Sequence, residues 1–119
     1  CALPISCVRI GSSFAEPKDR RMLASWLSFD DLHRLVTACL TTPILGHTPI
    51  FGMSDNAVTW YDNSAARHVG YVPQDSSDPF REAIYARTPQ PDITDPAAIY
   101  QGGGFLFQGE PMTAHKVGK

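Results

Sequence analysis

Apolar residues run almost without a break from Ala2 to Ile10, as ALPISCVRI, until Gly11 ends the run. Continuous apolarity over that length predicts a strand over residues 3–10 that is buried on both faces, as in a parallel sheet. A mostly polar loop with Pro17 in it spans residues 12–21, and Met22 to Leu27 then predict a short extended piece. From Ser28 onward the period changes. Leu32, Leu35, Val36, Cys39 and Leu40 recur at three- and four-residue spacing and predict one buried face of a helix over about 28–41. Ser28 is placed to accept from the amide three residues on, Asp30 and Asp31 complement the helix dipole, and Thr41-Thr42-Pro43 stops the helix. A second strand is predicted over Thr48–Met53, followed by a turn at Ser54-Asp55-Asn56. A short helix should start near Asp62 or Asn63 and end at Gly70. Another, with Pro79 in its first turn and Phe80, Ala83 and Ile84 on its apolar face, should be over by Thr88-Pro89. Residues 89–119 are rich in glycine and proline and lack periodicity. They predict a long irregular tail, partly docked through Phe105, Leu106 and Phe107.

The order strand–loop–helix–strand–helix–helix fits the edge of an α/β sheet. It divides the chain into a folded portion, residues 1–88, and the tail, residues 89–119. A strand buried on both faces needs neighbours, and a chain that starts in one lacks those that would normally precede it. Cys1 in first place fits a cut chain, with a processed N-terminal nucleophile or a lipoprotein cysteine as the other readings.

Composition narrows the classes of function. At 119 residues, 43% hydrophobic and 18% charged, the chain has the make-up of one globular domain. Ten basic against twelve acidic residues leave no electrostatic case for nucleic acid. No run of 18 apolar residues is present, so no membrane-spanning helix is expected. Cysteines 1, 7 and 39 match no zinc spacing. Unpaired thiols point to a reducing compartment, the cytoplasm, although a Cys7–Cys39 bridge stays open, and both residues read as small core side chains. Histidines 33, 47, 68 and 115 offer no metal site, and the glycines at 102–104 open no helix, so no dinucleotide fingerprint is predicted there.

The residues with the most chemistry flank the first loop. In open α/β sheets ligands bind beyond the carboxyl ends of the strands. Ser12 and Ser13 lie at such an end, and Gly11 admits a close approach to the backbone. Arg20 and Arg21 close the loop, and a guanidinium holds a carboxylate through two charge-assisted hydrogen bonds. The same residues also read as a solvated surface loop, since exposed arginine is the common case.

Four stretches in order, RIGSSFAEPKDRRMLASWLSFDDL, GMSDNAVTWYDN, YVPQDSSDPFR and YQGGGF, resemble the C-terminal half of the uronate dehydrogenases, within the extended short-chain dehydrogenase/reductase superfamily. The resemblance spans about residues 3–107. It implies the C-terminal part of a Rossmann-type sheet, with NAD as cofactor. The implied reaction oxidises a uronic acid, such as glucuronate or galacturonate, at the anomeric carbon to an aldarolactone. It also implies Ser12 and Arg21 on the sugar acid, with Arg21 on the carboxylate and Phe105 bordering the substrate. Ile10, Gly11 and Ser13 would lie beside the nicotinamide, and Arg20 would be a surface residue. The family's glycine-rich phosphate loop and its Tyr-x-x-x-Lys pair would precede the first strand. None of Tyr61, Tyr71, Tyr85 and Tyr100 has lysine four residues later, so no catalytic residue is expected in this chain. A non-catalytic module that binds sugar acids or serves assembly, or part of a related sugar epimerase/dehydratase, is the alternative. In either case the free edge of strand 3–10 predicts association, as a homo-oligomer or with another chain.

Overall fold

A computed structural model describes residues 3–100. They fall into two compact units that divide between Thr88 and Pro89. In the first unit, β1 (Ile5–Ile10) and β4 (His47–Gly52) form a parallel pair in which Val8 faces Ile50 and Ile10 faces Gly52. Between them in the chain come β2 (Ser12–Ser13), the single-turn helix α1 (Met22–Ser25), β3 (Trp26–Leu27) and helix α2 (Phe29–Thr41). A 3-10 helix, Ser64–Val69, ends on Gly70, whose φ of 78° is left-handed and suits glycine. A 3-10 turn, Asp78–Phe80 with Pro79 inside it, leads into α3 (Arg81–Arg87). The described part of the second unit holds one helical turn, α4 (Pro96–Ile99), which the lack of periodicity there did not predict.

The core lies on one side of the β1–β4 pair. Leu35 of α2, Ile50 of β4, and Ala66 and Val69 of the 3-10 helix are buried together, with Val8, Ala38, Cys39, Leu45 and Tyr71 packed against them. Burial alternates along β4, where Thr48, Ile50 and Gly52 are inside while His47 and Pro49 are exposed. Expected burial of the first strand on both faces is not met: Ile5, Cys7, Arg9 and Ile10 are exposed. One helix layer and one partner strand cover one face and one edge, and the described residues supply no more. Cys7 is accordingly exposed rather than a core residue, and Cys39 is half-buried; both are free thiols.

Helix α2 begins as expected. Ser28 is its N-cap, and the Ser28 hydroxyl accepts from the Asp31 amide at 2.9 Å. The apolar face is narrower than its spacing suggested. Leu35 is fully buried, but Val36 is 45% and Leu40 80% exposed. The first turn holds a fully buried carboxylate instead. Asp31 accepts from the Arg34 guanidinium at 2.6 Å and from the amides of Gln74 and Asp75 at 2.9 and 3.0 Å. The Ser28 hydroxyl in turn donates to the Asp75 carboxylate. These bonds fasten the irregular segment around residue 75 to the start of α2.

Residues 22–27 are only partly extended. Asp19 accepts from the Met22 amide at 2.8 Å, and the amides of Leu23 and Ala24 reach back to the carbonyls of Arg20 and Arg21. With these bonds Met22–Ser25 forms a helical turn before Trp26 and Leu27 extend. Asn63 closes the open edge of β4 as a strand would: its amide group receives the Phe51 N–H at 2.8 Å and donates to the Phe51 carbonyl at 2.9 Å.

Burial raises the pKa of the Asp31 carboxyl, but hydrogen bonds from Ser54, Gln74, Arg34 and Asp75 outweigh it and hold the group below its ordinary 3.8. A group depressed in the folded state adds stability above its unfolded pKa, and this is lost as pH falls through the folded one. Asp31→Asn is therefore expected to cost roughly 1–3 kcal/mol at neutral pH. The gap from the parent chain should narrow below about pH 4. Urea denaturation at pH 7 and at pH 3 measures both, and a gap that stays constant across that range would remove the charge from the account.

Candidate functional site

Past Ile10, Gly11 turns the chain and β2 forms a two-residue parallel bridge with β3, Ser12 opposite Trp26 and Ser13 opposite Leu27. The bridge fixes both serines at the carboxyl end of β1. Ser12 is buried, and its hydroxyl lies 3.2 Å from that of fully buried Ser25. The Ser25 hydroxyl also donates to the Arg21 carbonyl at 3.5 Å. Ser13 is half-buried. Its hydroxyl oxygen is buried and has no hydrogen-bond partner among the described residues.

Gly11 is glycine for a reason the sequence did not suggest. A Cβ there would come within 2.5 Å of the Ser25 carbonyl oxygen, 2.8 Å of the Met53 methyl and 2.9 Å of the Ser25 Cβ. The Cβ direction is filled by protein, so close packing of the β1 end on α1 already demands the residue, while the Gly11 backbone itself is exposed.

The two adjacent arginines separate. Arg20 donates from Nε and Nη2 to the Thr88 carbonyl at 3.1 and 2.8 Å and lies over the Tyr85 ring, 4.6 Å from its centroid. It is a clamp on the carboxyl end of α3, where a cation meets free carbonyls, rather than a surface charge. Arg21, half-buried, sits at the N-cap of α1.

The loop from Phe14 to Asp19 is pinned at several points. Pro17 is fully buried, and its carbonyl accepts from Arg87 at 3.0 Å. Trp26 Nε1 donates to the Phe14 carbonyl at 2.9 Å, and Lys18 lies over the Phe14 ring. An open cleft of about 450 Å³ lies along the loop, lined by Phe14, Ala15, Glu16, Pro17, Lys18 and Arg87. Beneath the site, the Trp26 carbonyl accepts from the Ser54 amide and from the Asn56 side chain, each at 2.9 Å, and Asn56 Oδ1 receives the Ser77 amide at 3.0 Å.

Five of the six expected site residues thus gather at one place: Ile10, Gly11, Ser12 and Ser13 in sequence, and Arg21 joined to Ser12 through Ser25. Phe105 lies outside the described residues. Sequence reasoning missed Ser25, Asn56 and the clamp by Arg20. Only for Ser25 was there a signal, a small polar residue inside the apolar run Leu23 to Leu27. Burial pushes the Tyr71 phenol up, and its hydroxyl donates to the Met53 carbonyl at 2.7 Å, so this tyrosine is no poised base. Among the described residues no group of three or more His, Cys, Asp or Glu could hold a metal ion, and no helix is long and apolar enough to cross a membrane.

No family model matches the chain. Individual proteins do. A uronate dehydrogenase of Pseudomonas putida is 52% identical over 102 residues, which cover 86% of this chain and 38% of that protein. The chain is homologous to part of a uronate dehydrogenase. It spans well under half the length of such relatives. A crystal structure of glucuronic acid dehydrogenase from Chromohalobacter salexigens superposes with a TM-score of 0.84 at 47% identity, covering 92% of this chain and 41% of that one. A uronate dehydrogenase mutant from Agrobacterium tumefaciens, solved in complex with NAD, gives 0.80 at 39% identity over 87% of this chain and 39% of that one. The parallel β1–β4 pair with α2 between its strands is accordingly part of a Rossmann-type α/β sheet.

For this uronate dehydrogenase homologue, Gly11→Ala drives a methyl group into backbone that cannot yield. Overpacking of that kind costs about 1–3 kcal/mol. A drop in the midpoint of urea denaturation is expected, and an unchanged midpoint would show that β1 can slide away from Ser25.

Proposed function

We propose that this chain is the substrate-binding portion of an NAD-dependent dehydrogenase that oxidises a uronic acid, glucuronate or galacturonate, at C1 to an aldarolactone. The observation that supports it most is the buried Ser12–Ser25–Arg21 connection in a chain half identical to a uronate dehydrogenase. Arg21 would bind the sugar carboxylate with two parallel charge-assisted hydrogen bonds. Ser12 would hold a ring hydroxyl, and Phe105 would border the sugar.

The residues at the end of β1 suit a nicotinamide. Ile10 offers an apolar side chain that is 49% exposed, Gly11 follows it, and the Ser13 hydroxyl has an unused hydrogen-bonding capacity among the described residues. When bound, NAD accepts the hydride that leaves C1. The chain's own part is to bind and orient: Arg21 and Ser12 fix the sugar, while Ile10, Gly11 and Ser13 keep water from the face where C1 meets the ring. The hydroxyl proton requires a base, and no tyrosine here carries the Tyr-x-x-x-Lys spacing. Free Cys7 and Cys39 support a reducing, cytoplasmic setting.

The exposed strand β1 favours a second role, in assembly. Among the described residues β1 pairs with β4 alone, and Ile5 and Cys7 are exposed, so β1 would offer an edge for a strand of another chain. Purified chain is expected to run as dimers or larger species in light scattering, and a monodisperse monomer would count against this.

By itself the 119-residue chain should not reduce NAD with glucuronate or galacturonate in a spectrophotometric assay; robust turnover would overturn the division of labour proposed above. In a full-length enzyme that contains this segment, Arg21→Ala should raise KM for the uronate at least tenfold, as expected for a lost charge-assisted pair. An unchanged KM would remove Arg21 from the carboxylate.

A further inference from the structure

We propose that Ser25 is a positioning residue of the sugar-acid site, one that sets the Ser12 hydroxyl to accept rather than donate. This rests on the assignment of Ser12 and Arg21 to the substrate. Ser25 is the last residue of α1, fully buried between Ala24 and Trp26, which are also buried. Alanine would pack there and favour the helical turn more. A hydroxyl in such a place costs desolvation unless its hydrogen bonds are made. Here they are made to Ser12 Oγ at 3.2 Å and to the Arg21 carbonyl at 3.5 Å.

A serine hydroxyl has one proton. If Ser25 gives that proton to the Arg21 carbonyl, the Ser12–Ser25 bond requires the proton of Ser12. The Ser12 oxygen then keeps only lone pairs to turn elsewhere, and it can meet a sugar hydroxyl only as the acceptor. The same Ser25 oxygen ties the Ser12 bridge to the main chain of Arg21, the point from which the guanidinium extends. Gly11 packs on the Cβ of Ser25, which holds Ser25 against the end of β1 and leaves no room for a larger residue on that side.

A role exerted through Ser12 predicts non-additivity. In a full-length enzyme containing this segment, Ser25→Ala should raise KM for glucuronate about fivefold, the loss of one neutral hydrogen bond, with kcat changed less. Ser12→Ala should raise KM by at least as much. The double variant should be no worse than Ser12→Ala alone. Thermal unfolding measured in parallel should shift little between Ser12→Ala and the double variant. Effects that add, or a Ser25→Ala enzyme with unchanged KM, would overturn the role of Ser25 while leaving Ser12 in the site. An unchanged KM in Ser12→Ala would instead overturn the reading of the site itself. Should Ser25→Ala fail to fold, Ser25→Cys keeps the volume and weakens the hydrogen bond. The same rise in KM, absent when Ser12 is already alanine, is then expected.

Discussion

A buried carboxylate organises the folded unit. Asp31 has no access to solvent, and its two oxygens are satisfied by Arg34 and by the amides of Gln74 and Asp75. An ionised group can stay in such a place only if it is fully hydrogen-bonded. Satisfying it brings together three pieces of chain: the start of α2, the segment around residue 75, and, through Ser28, the residues after β4. The Ser28 amide donates to the Ser54 hydroxyl, the Ser54 amide to the Trp26 carbonyl, and Trp26 pairs with Ser12. The serine at the candidate site is therefore held by a continuous set of polar contacts that begins at the N-terminus of α2.

This polar frame works beside the apolar core. The cluster of Leu35, Ile50, Ala66 and Val69 and its partly buried neighbours cover one face of the β1–β4 pair among the described residues. Side-chain amides and hydroxyls replace missing strand contacts, as Asn63 does along β4 and Asn56 does between Trp26 and Ser77. Such groups hold geometry tightly, since each broken bond leaves a buried polar atom without a partner.

The loop between β1 and α1 shows how local chemistry is reassigned by context. Two neighbouring arginines look alike in the chain, yet Arg20 is spent on the carbonyls at the end of α3 and on Tyr85. Arg21 comes one residue later, before the turn whose Met22 amide donates to Asp19, and its main-chain carbonyl accepts from Ser25. The loop is thus braced at two points, with Pro17 buried and Trp26 tied to the Phe14 carbonyl, while Phe14, Ala15, Glu16 and Lys18 stay exposed.

The sequence by itself determined the elements whose causes are local. The N-cap at Ser28, the stop at Gly70, the entry through Pro79 and the apolar run of β1 could all be read from neighbouring residues, and so could the placing of Ser12, Ser13 and Arg21 around one loop. The residue types of four short motifs were enough to indicate the family. Tertiary structure decided everything that depends on partners distant in the chain. Asp31 reads as a dipole complement until residues 74 and 75 are folded over it. Cys7 reads as core, but among the described residues nothing covers it and it is exposed. Gly11 reads as a strand end until Ser25 is found packed where its Cβ would be. Periodicity and caps act over a few residues, whereas burial and hydrogen-bond satisfaction depend on what is brought alongside, and only the folded chain specifies that.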